Sequence, residues 1–129
     1  MRTFHRYLLP LAQGLGAFVV EIAAIIVLYR RNSVLLVVLC VETAIVLRIW
    51  RERFDRAFFL VIALIGSLAE LAFVRAGIWH YANPSFAQLP VWFPVSFGLA
   101  GLIVLRLARA LVALWDQLRP PRNDQKALE

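Results

Sequence analysis

Three glutamates, Glu21, Glu42 and Glu70, each lie inside a different long apolar run of this 129-residue chain. An ionisable side chain at membrane depth costs free energy, and such residues usually mark a binding site, an ion path or a proton relay. A carboxyl group that burial keeps neutral can also act as a general acid. The three glutamates are therefore the candidate catalytic residues of the chain.

The composition is that of a membrane protein. Hydrophobic residues make up 62 % of the chain and charged residues 17 %, whereas soluble domains carry roughly 25 % charged residues. A net charge of +6 also occurs in nucleic-acid-binding proteins, but here the arginines flank the apolar runs. Arginines in that position set topology and contact lipid headgroups. We therefore predict a multi-pass membrane protein with membrane lipid as a partner and with no nucleic acid.

Four apolar segments are long enough to cross a hydrocarbon core of about 30 Å, which takes about 20 helical residues. They cover residues 7–29, 33–47, 57–77 and 89–111. Residues 30–32 join the first two, and the basic segment 48–56 joins the second and third. We predict an all-α fold, a four-helix antiparallel bundle over residues 1–115. Residues 116–129 are polar and proline-broken, and we expect a short helical extension followed by a disordered tail.

The distribution of basic residues predicts the orientation of the chain. If both termini are cytoplasmic, all but three of the 14 Lys and Arg residues fall on the cytoplasmic side. The three on the opposite side are Arg30, Arg31 and Arg75. We therefore expect a protein of the inner (plasma) membrane with both termini in the cytoplasm.

Helical spacing places Glu21 and Glu70 on faces of small or polar residues, and it places Glu42 and Thr43 beside Leu39 and Val46. Gln13 and Gly16 share a face with Glu21, and Ser67 shares one with Glu70, as in the buried faces of membrane helices. At about 1.5 Å rise per residue, the three carboxyl groups differ in depth by less than one helical turn. We therefore predict one polar pocket. Three carboxylates cannot all ionise in a low-dielectric site, so at least one should carry a proton.

The connection before the fourth span is rich in aromatic residues and proline. Trp79, Tyr81 and Trp92 either form a belt at headgroup level, where Trp and Tyr are enriched, or form a lid over a cavity. Pro90 and Pro94 begin or kink the fourth helix. The candidate ligand-binding residues of the chain are Gln13, Ser67, Arg75, Trp79, His80, Tyr81 and Trp92.

Arg75 and His80 each have two interpretations. Arg75 lies about 140° around the helix from Glu70, so it either pairs with a glutamate of a neighbouring helix or snorkels to the membrane boundary. His80 is either a ligand or a structural residue at the interface. No spacing typical of a metal or cofactor site is present, and we expect no metal and no cofactor.

Glu70 is followed by the run Gly77-Ile78-Trp79, by Tyr81, and by Pro90 at the entrance to the next helix. This pattern resembles the membrane-embedded lycopene cyclase family and the related carotenoid-modifying membrane domains, in which small subunits also pair to make a site. The resemblance implies acid chemistry on an isoprenoid polyene, with Glu70 as the residue that carries over. The chain departs from the family after Pro90, where the family has one or two acidic residues and this sequence has Val91-Trp92-Phe93-Pro94.

The resemblance implies either a binding or partner subunit, or an enzyme that uses Glu21 and Glu42 for related chemistry. In architecture alone, the chain is similar to small multidrug-resistance transporters, which have four helices and a membrane glutamate in the first. Glu21 matches that glutamate in type, and a dimer would be needed to build a transport path.

Three functions are consistent with these observations. The leading hypothesis is a buried carboxylate pocket that binds a lipophilic, isoprenoid small molecule, or modifies it by acid catalysis. The first alternative is a proton-coupled transporter of hydrophobic cations. The second is a structural or assembly subunit of a homo-dimer or hetero-oligomer, in which the glutamates bond to groups such as Ser67 or Thr43 and hold helices together.

Overall fold

The computed structural model describes the backbone of residues 2–119 and the side chains of residues 8–119. Over these residues the chain forms four α-helices and no β-strand. Each helix contains a stretch that is long and apolar enough to span a membrane. The all-α class, and four helices long and apolar enough to span a membrane, are thereby confirmed. The helices are α1 (Arg2–Leu28), α2 (Asn32–Trp50), α3 (Arg53–Arg75) and α4 (Phe93–Leu118).

Two connections differ from the prediction. α2 continues to Trp50, so the basic connection between α2 and α3 is reduced to Arg51 and Glu52. Arg51 ends α2 in the left-handed conformation, with φ of 54°, and its N–H donates to the Leu47 carbonyl at 3.1 Å. α4 begins at Phe93 rather than at residue 89, and a proline lies in its first turn, where the missing N–H is not needed.

The predicted polar tail begins inside a helix. α4 continues through Asp116 to Leu118, in agreement with the short extension expected after the fourth span. The disorder predicted for the rest of the tail concerns residues 120–129, which lie outside the described part of the chain.

α4 is the helix against which the other three pack. It contacts α1, α2 and α3, whereas α1 and α3 do not contact each other over the described residues. Leu35 and Leu39 of α2 and Leu99, Leu102 and Ile103 of α4 are fully buried and form the centre of the core. α4 lies between α1 and α3. Side chains of α1 and side chains of α3 therefore pack on different sides of α4.

Glycines allow α3 and α4 to approach closely. A Cβ atom at Gly98 would lie 2.8 Å from the Phe59 ring and 2.9 Å from the Ala63 Cβ, and one at Gly66 would overlap the Phe97 ring. Small residues at such positions let membrane helices pack backbone against backbone. The contact between α3 and α4 therefore depends on the absence of side chains at these two positions.

The outer surface of the four helices is apolar. Large side chains such as Val27, Leu60, Ile26 and Val112 point away from the protein and are more than half exposed. Soluble monomers rarely expose contiguous apolar patches of more than a few hundred Å². In a hydrocarbon phase this surface carries no such penalty, which agrees with four membrane-spanning helices.

Candidate functional site

Glu21 is buried between α1 and α4. Its side chain is 2 % exposed, and Ser96 Oγ of α4 donates a hydrogen bond to Glu21 Oε1 at 2.7 Å. Glu21 Oε2 has no hydrogen-bond partner among the described residues. One oxygen of this carboxyl group is thus positioned by α4, and the other remains available to a proton or a ligand.

Glu42 of α2 is buried without any partner. The residue is 8 % exposed, and neither carboxyl oxygen forms a hydrogen bond within the described chain; the same holds for the hydroxyl of the adjacent Thr43. α1 packs against α2, and Ala17, one turn before Glu21 on α1, lines the same groove as Glu42. The two glutamates therefore lie in one region between α1 and α2. Buried polar atoms in native proteins are almost always hydrogen-bonded. The two Glu42 oxygens and the Thr43 hydroxyl depart from that rule.

An apolar groove runs between α1 and α2 beside Glu42. We call it the Glu42 groove; its volume is about 500 Å³. Gln13 and Glu42 are its polar residues, and Gly16, predicted on the buried face of α1, is exposed and forms part of its wall. The groove is lined by Gln13, Gly16, Ala17, Val20, Val38, Val41, Glu42, Ile45, Val46 and Ile49.

Glu70 is separate from this pair. It accepts hydrogen bonds from Trp79 Nε1 at 2.6 Å and from the Tyr81 hydroxyl at 2.5 Å. Burial, together with the hydrogen bond to Glu70, raises the pKa of the Tyr81 hydroxyl, which therefore stays a donor. Glu70 lies on α3, which α4 separates from Glu21 on α1. The structure therefore brings together two of the three predicted glutamates. The third, Glu70, anchors the loop of residues 76–92 between α3 and α4, which we call the aromatic loop.

Two asparagines attach the loop after α3 to the turn between α1 and α2. Asn32 donates to the Asn83 carbonyl at 2.9 Å and to the Ser85 hydroxyl, and it accepts from Trp92 Nε1 at 3.0 Å. Asn83 in turn donates to the carbonyls of Tyr29 and Arg30. Both connections therefore lie at one end of the molecule, the aromatic end. Asn32 was not predicted as a site residue, because a polar residue in a short turn has no distinguishing sequence pattern.

The remaining predicted ligand-binding residues lie apart from Glu42. Arg75 and His80 are exposed at the aromatic end, and neither pairs with a carboxylate within the described residues. Ser67 lines a second apolar groove, of about 310 Å³, between α3 and the aromatic loop. Its hydroxyl is buried and has no partner in the part of the chain that the structure describes.

A cluster of ion pairs at the opposite end was not found from the sequence. Asp55 is fully buried and pairs with Arg106 of α4, while Glu52 pairs with Arg106 at 3.0 Å and with Arg109 at 2.9 Å. Arg106 also lies over the Trp50 ring, 5.0 Å from its centroid. We call this end, which holds residues 48–56, the basic end. The available signal was an acid just before the third predicted span and an arginine inside the fourth, and that signal alone does not pair them.

Neither a metal site nor a similar protein indicates what this site does. Within the described residues there is no group of three or more His, Cys, Asp or Glu side chains that could hold a metal ion. No protein-family model matches the chain, and neither characterised proteins nor solved structures show a match to it. Its function has to be inferred from the site itself.

Proposed function

We propose that this protein binds a lipophilic ligand in the Glu42 groove and recognises it through the Glu42 carboxyl group. The observation that supports this most directly is that both Glu42 oxygens are buried beside an apolar groove without a partner among the described residues. Leaving a buried polar group unsatisfied costs about 1–3 kcal/mol. A ligand with a hydrogen-bond donor would remove that cost and so gain affinity.

The shape of the groove favours a chain-like ligand that enters from the lipid. Val41 and Ile45 are each about half exposed on its wall, so the groove opens sideways, toward the space that hydrocarbon would occupy. Apolar walls with one or two polar groups are typical of sites for lipophilic molecules. An isoprenoid alcohol has this pattern, with an apolar chain and one hydroxyl. The resemblance to the carotenoid-modifying membrane domains points to the same class.

Acid catalysis is the chemistry that this site would support. A carboxyl group held neutral at membrane depth can give its proton to a bound double bond, and the resulting carbocation then returns a proton from a neighbouring carbon to the carboxylate. Glu42 and Glu21 would take the acid role that the cyclase pattern assigns to residues after Pro90. In this proposal the protein lies in the inner membrane with its basic end in the cytoplasm, the orientation that the distribution of Lys and Arg along the sequence predicts.

The proposal is tested by binding of all-trans-retinol, a fluorescent isoprenoid alcohol, to the purified protein in detergent. Glu42→Leu removes both oxygens, and we expect it to weaken binding about tenfold, since leaving the donor of the ligand buried without a partner costs about 1–3 kcal/mol. Gly16→Leu should also weaken it, because a side chain there meets no atom within 4 Å and would occupy the groove.

Thr43→Val is the matched control, because it removes the neighbouring buried hydroxyl, which does not line the groove. It should bind retinol as the wild type does. Equal affinity in the wild type and in Glu42→Leu would show that the groove is not a binding site for this class of ligand.

A second candidate function, proton-coupled transport of a hydrophobic cation, is favoured by the pairing of Glu21 with Glu42. Three of their four carboxyl oxygens have no partner among the described residues, so the pair can exchange a proton for a cation. In proteoliposomes with an imposed pH gradient, tetraphenylphosphonium uptake should then occur and should be lost in Glu21→Gln and in Glu42→Gln. Glu70→Gln should transport normally. Retinol binding without any such uptake would favour the first proposal.

A further inference from the structure

Three arginines at the basic end surround a pocket beside the end of α2. Arg48, Arg51 and Arg56 line it together with Leu47, and its volume is about 390 Å³. Arg51 Nε donates to the Arg48 carbonyl at 3.0 Å, so its side chain folds back over the last turn of α2. We call these three residues the arginine pocket.

The positive charge of this pocket is not neutralised by the protein. The neighbouring acids, Glu52 and Asp55, pair with Arg106 and Arg109 of α4. No acidic side chain pairs with Arg48, Arg51 or Arg56 over residues 8–119. Three guanidinium groups thus line one pocket. Apart from Arg51 Nε, which donates to the Arg48 carbonyl, their donors are available to an anion. Arginine is well suited to phosphate because its N–H groups form a planar fork.

The arginine pocket and the Glu42 groove are linked by a third cavity that shares lining residues with both. This cavity, of about 530 Å³, is lined by Arg48, Arg51, Ile45 and Ile49. The same two isoleucines line the Glu42 groove. Apolar and cationic surfaces therefore follow each other along one face of α2, and Glu42 lies about 9 Å deeper than Arg48 at 1.5 Å rise per residue.

We infer that the arginine pocket binds an anionic membrane lipid, with its phosphate at Arg48, Arg51 and Arg56. The apolar chain of the lipid lies along Ile45 and Ile49, at the end of the Glu42 groove nearest the arginines. The inference goes beyond the proposed function: an acyl chain has no hydrogen-bond donor for Glu42, so the lipid is a second molecule beside the ligand of the groove. Charge complementarity is its basis, because basic clusters at the end of a membrane span attract anionic lipid.

The inference is tested with the full-length protein in detergent, by native mass spectrometry with dioleoyl phosphatidic acid and dioleoyl phosphatidylcholine as probes. The wild type should retain phosphatidic acid in preference to phosphatidylcholine. In the triple variant R48Q/R51Q/R56Q, the ratio of retained phosphatidic acid to retained phosphatidylcholine should fall at least about tenfold. The matched variant R30Q/R31Q/R75Q removes three arginines from the aromatic end and should keep it. Equal losses in the two triple variants would overturn the inference.

The Arg51→Gly variant removes one guanidinium group from the arginine pocket and is expected to keep the fold. A positive φ is uncommon for residues with a side chain and is natural for glycine, so this variant removes one guanidinium group where the backbone favours glycine. It should fold and retain less phosphatidic acid than the wild type. If Arg51→Gly and the triple variant R48Q/R51Q/R56Q both retain as much phosphatidic acid as the wild type, the arginine pocket is not the phosphate site.

Two further measurements distinguish failure of the headgroup site from failure of the groove. Inorganic phosphate at millimolar concentration should not displace phosphatidic acid; full displacement would show a site for free phosphate and overturn the lipid assignment. If retinol binding depends on Glu42 but phosphatidic acid shows no preference, the groove stands and the headgroup inference fails. If the arginine-dependent preference persists without Glu42-dependent retinol binding, the headgroup inference stands and the proposed function fails.

Discussion

At the scale of single residues, the structure contains two kinds of buried carboxyl group. Asp55 is fully buried and has a cationic partner in Arg106, whereas Glu42 is buried without a partner among the described residues. Removing one member of a buried ion pair leaves an uncompensated charge, which is more costly than the pair itself is stabilising. Asp55 therefore holds the fold together, and Glu42 is the group that a ligand can use.

Asp55→Asn should destabilise the protein by about 3 kcal/mol, because it removes the buried charge that faces Arg106 and leaves that arginine with only the half-exposed Glu52 as a charged partner. The free energy of unfolding is measured by titration with sodium dodecyl sulfate in mixed micelles. Glu52→Gln is the control: that side chain is 49 % exposed, and loss of an exposed ion pair costs about 1 kcal/mol or less. Similar losses in the two variants would argue against a structural role for burial of Asp55.

Tyr81 predicts a pH dependence. Its pKa is raised in the folded protein by burial and by the hydrogen bond to Glu70, so folding favours the protonated phenol. The stabilisation is complete below the ordinary tyrosine pKa of about 10 and is lost as pH rises above it. Unfolding measured between neutral and strongly alkaline pH should show this decline in the wild type. Tyr81→Phe should show a smaller decline over the same range.

At the scale of elements, α4 carries the interfaces on which the site depends. Ser96 of α4 faces α1 and bonds to Glu21, while Gly98 of α4 lies against Phe59 and Ala63 of α3. One helix therefore positions a carboxyl group on one side and accepts close packing on the other. A change at the contact between α3 and α4 is thus expected to act on stability more than on Glu21.

Gly98→Ala should destabilise the protein by about 1–3 kcal/mol, because the added methyl group overlaps Phe59 and Ala63. Thermal unfolding in detergent measures the effect. Gly16→Ala is the matched substitution on an open helix face and should be neutral or stabilising by up to about 1 kcal/mol. The double variant G98A/A63G should recover part of the loss. No difference between the two single alanine variants would contradict the close approach of α3 and α4.

At the scale of the whole molecule, the two ends have different chemistry. The aromatic end joins the turn at Tyr29 and Arg30 to the loop through Asn83, and the basic end joins α3 to α4 through Glu52, Asp55, Arg106 and Arg109. Chain connections thus alternate between the two ends, as four consecutive crossings of a membrane require. The excess of arginine at the basic end then predicts which end faces the cytoplasm.

The orientation is tested by cysteine labelling of intact cells in a Cys40→Ser background. Ala82→Cys, at the aromatic end, should react with a membrane-impermeant maleimide before the cells are opened. Arg53→Cys, at the basic end, should react only after lysis. Both positions are exposed, so a difference between them reports the side of the membrane. The reverse pattern would show that the basic end faces outward.

The sequence by itself determined the class of the protein and the number of its helices, because the length and hydropathy of each span are local properties. It also placed Glu21 and Glu42 on buried faces, since helical periodicity is local too. Only the tertiary structure decided which of those faces meet. α4 separates α1 from α3, which leaves Glu70 with Trp79 and Tyr81. Glu21 bonds to Ser96 and lies on the same side of α4 as Glu42. Asp55 and Arg106, 51 positions apart, meet only through packing, and no local pattern records such a contact.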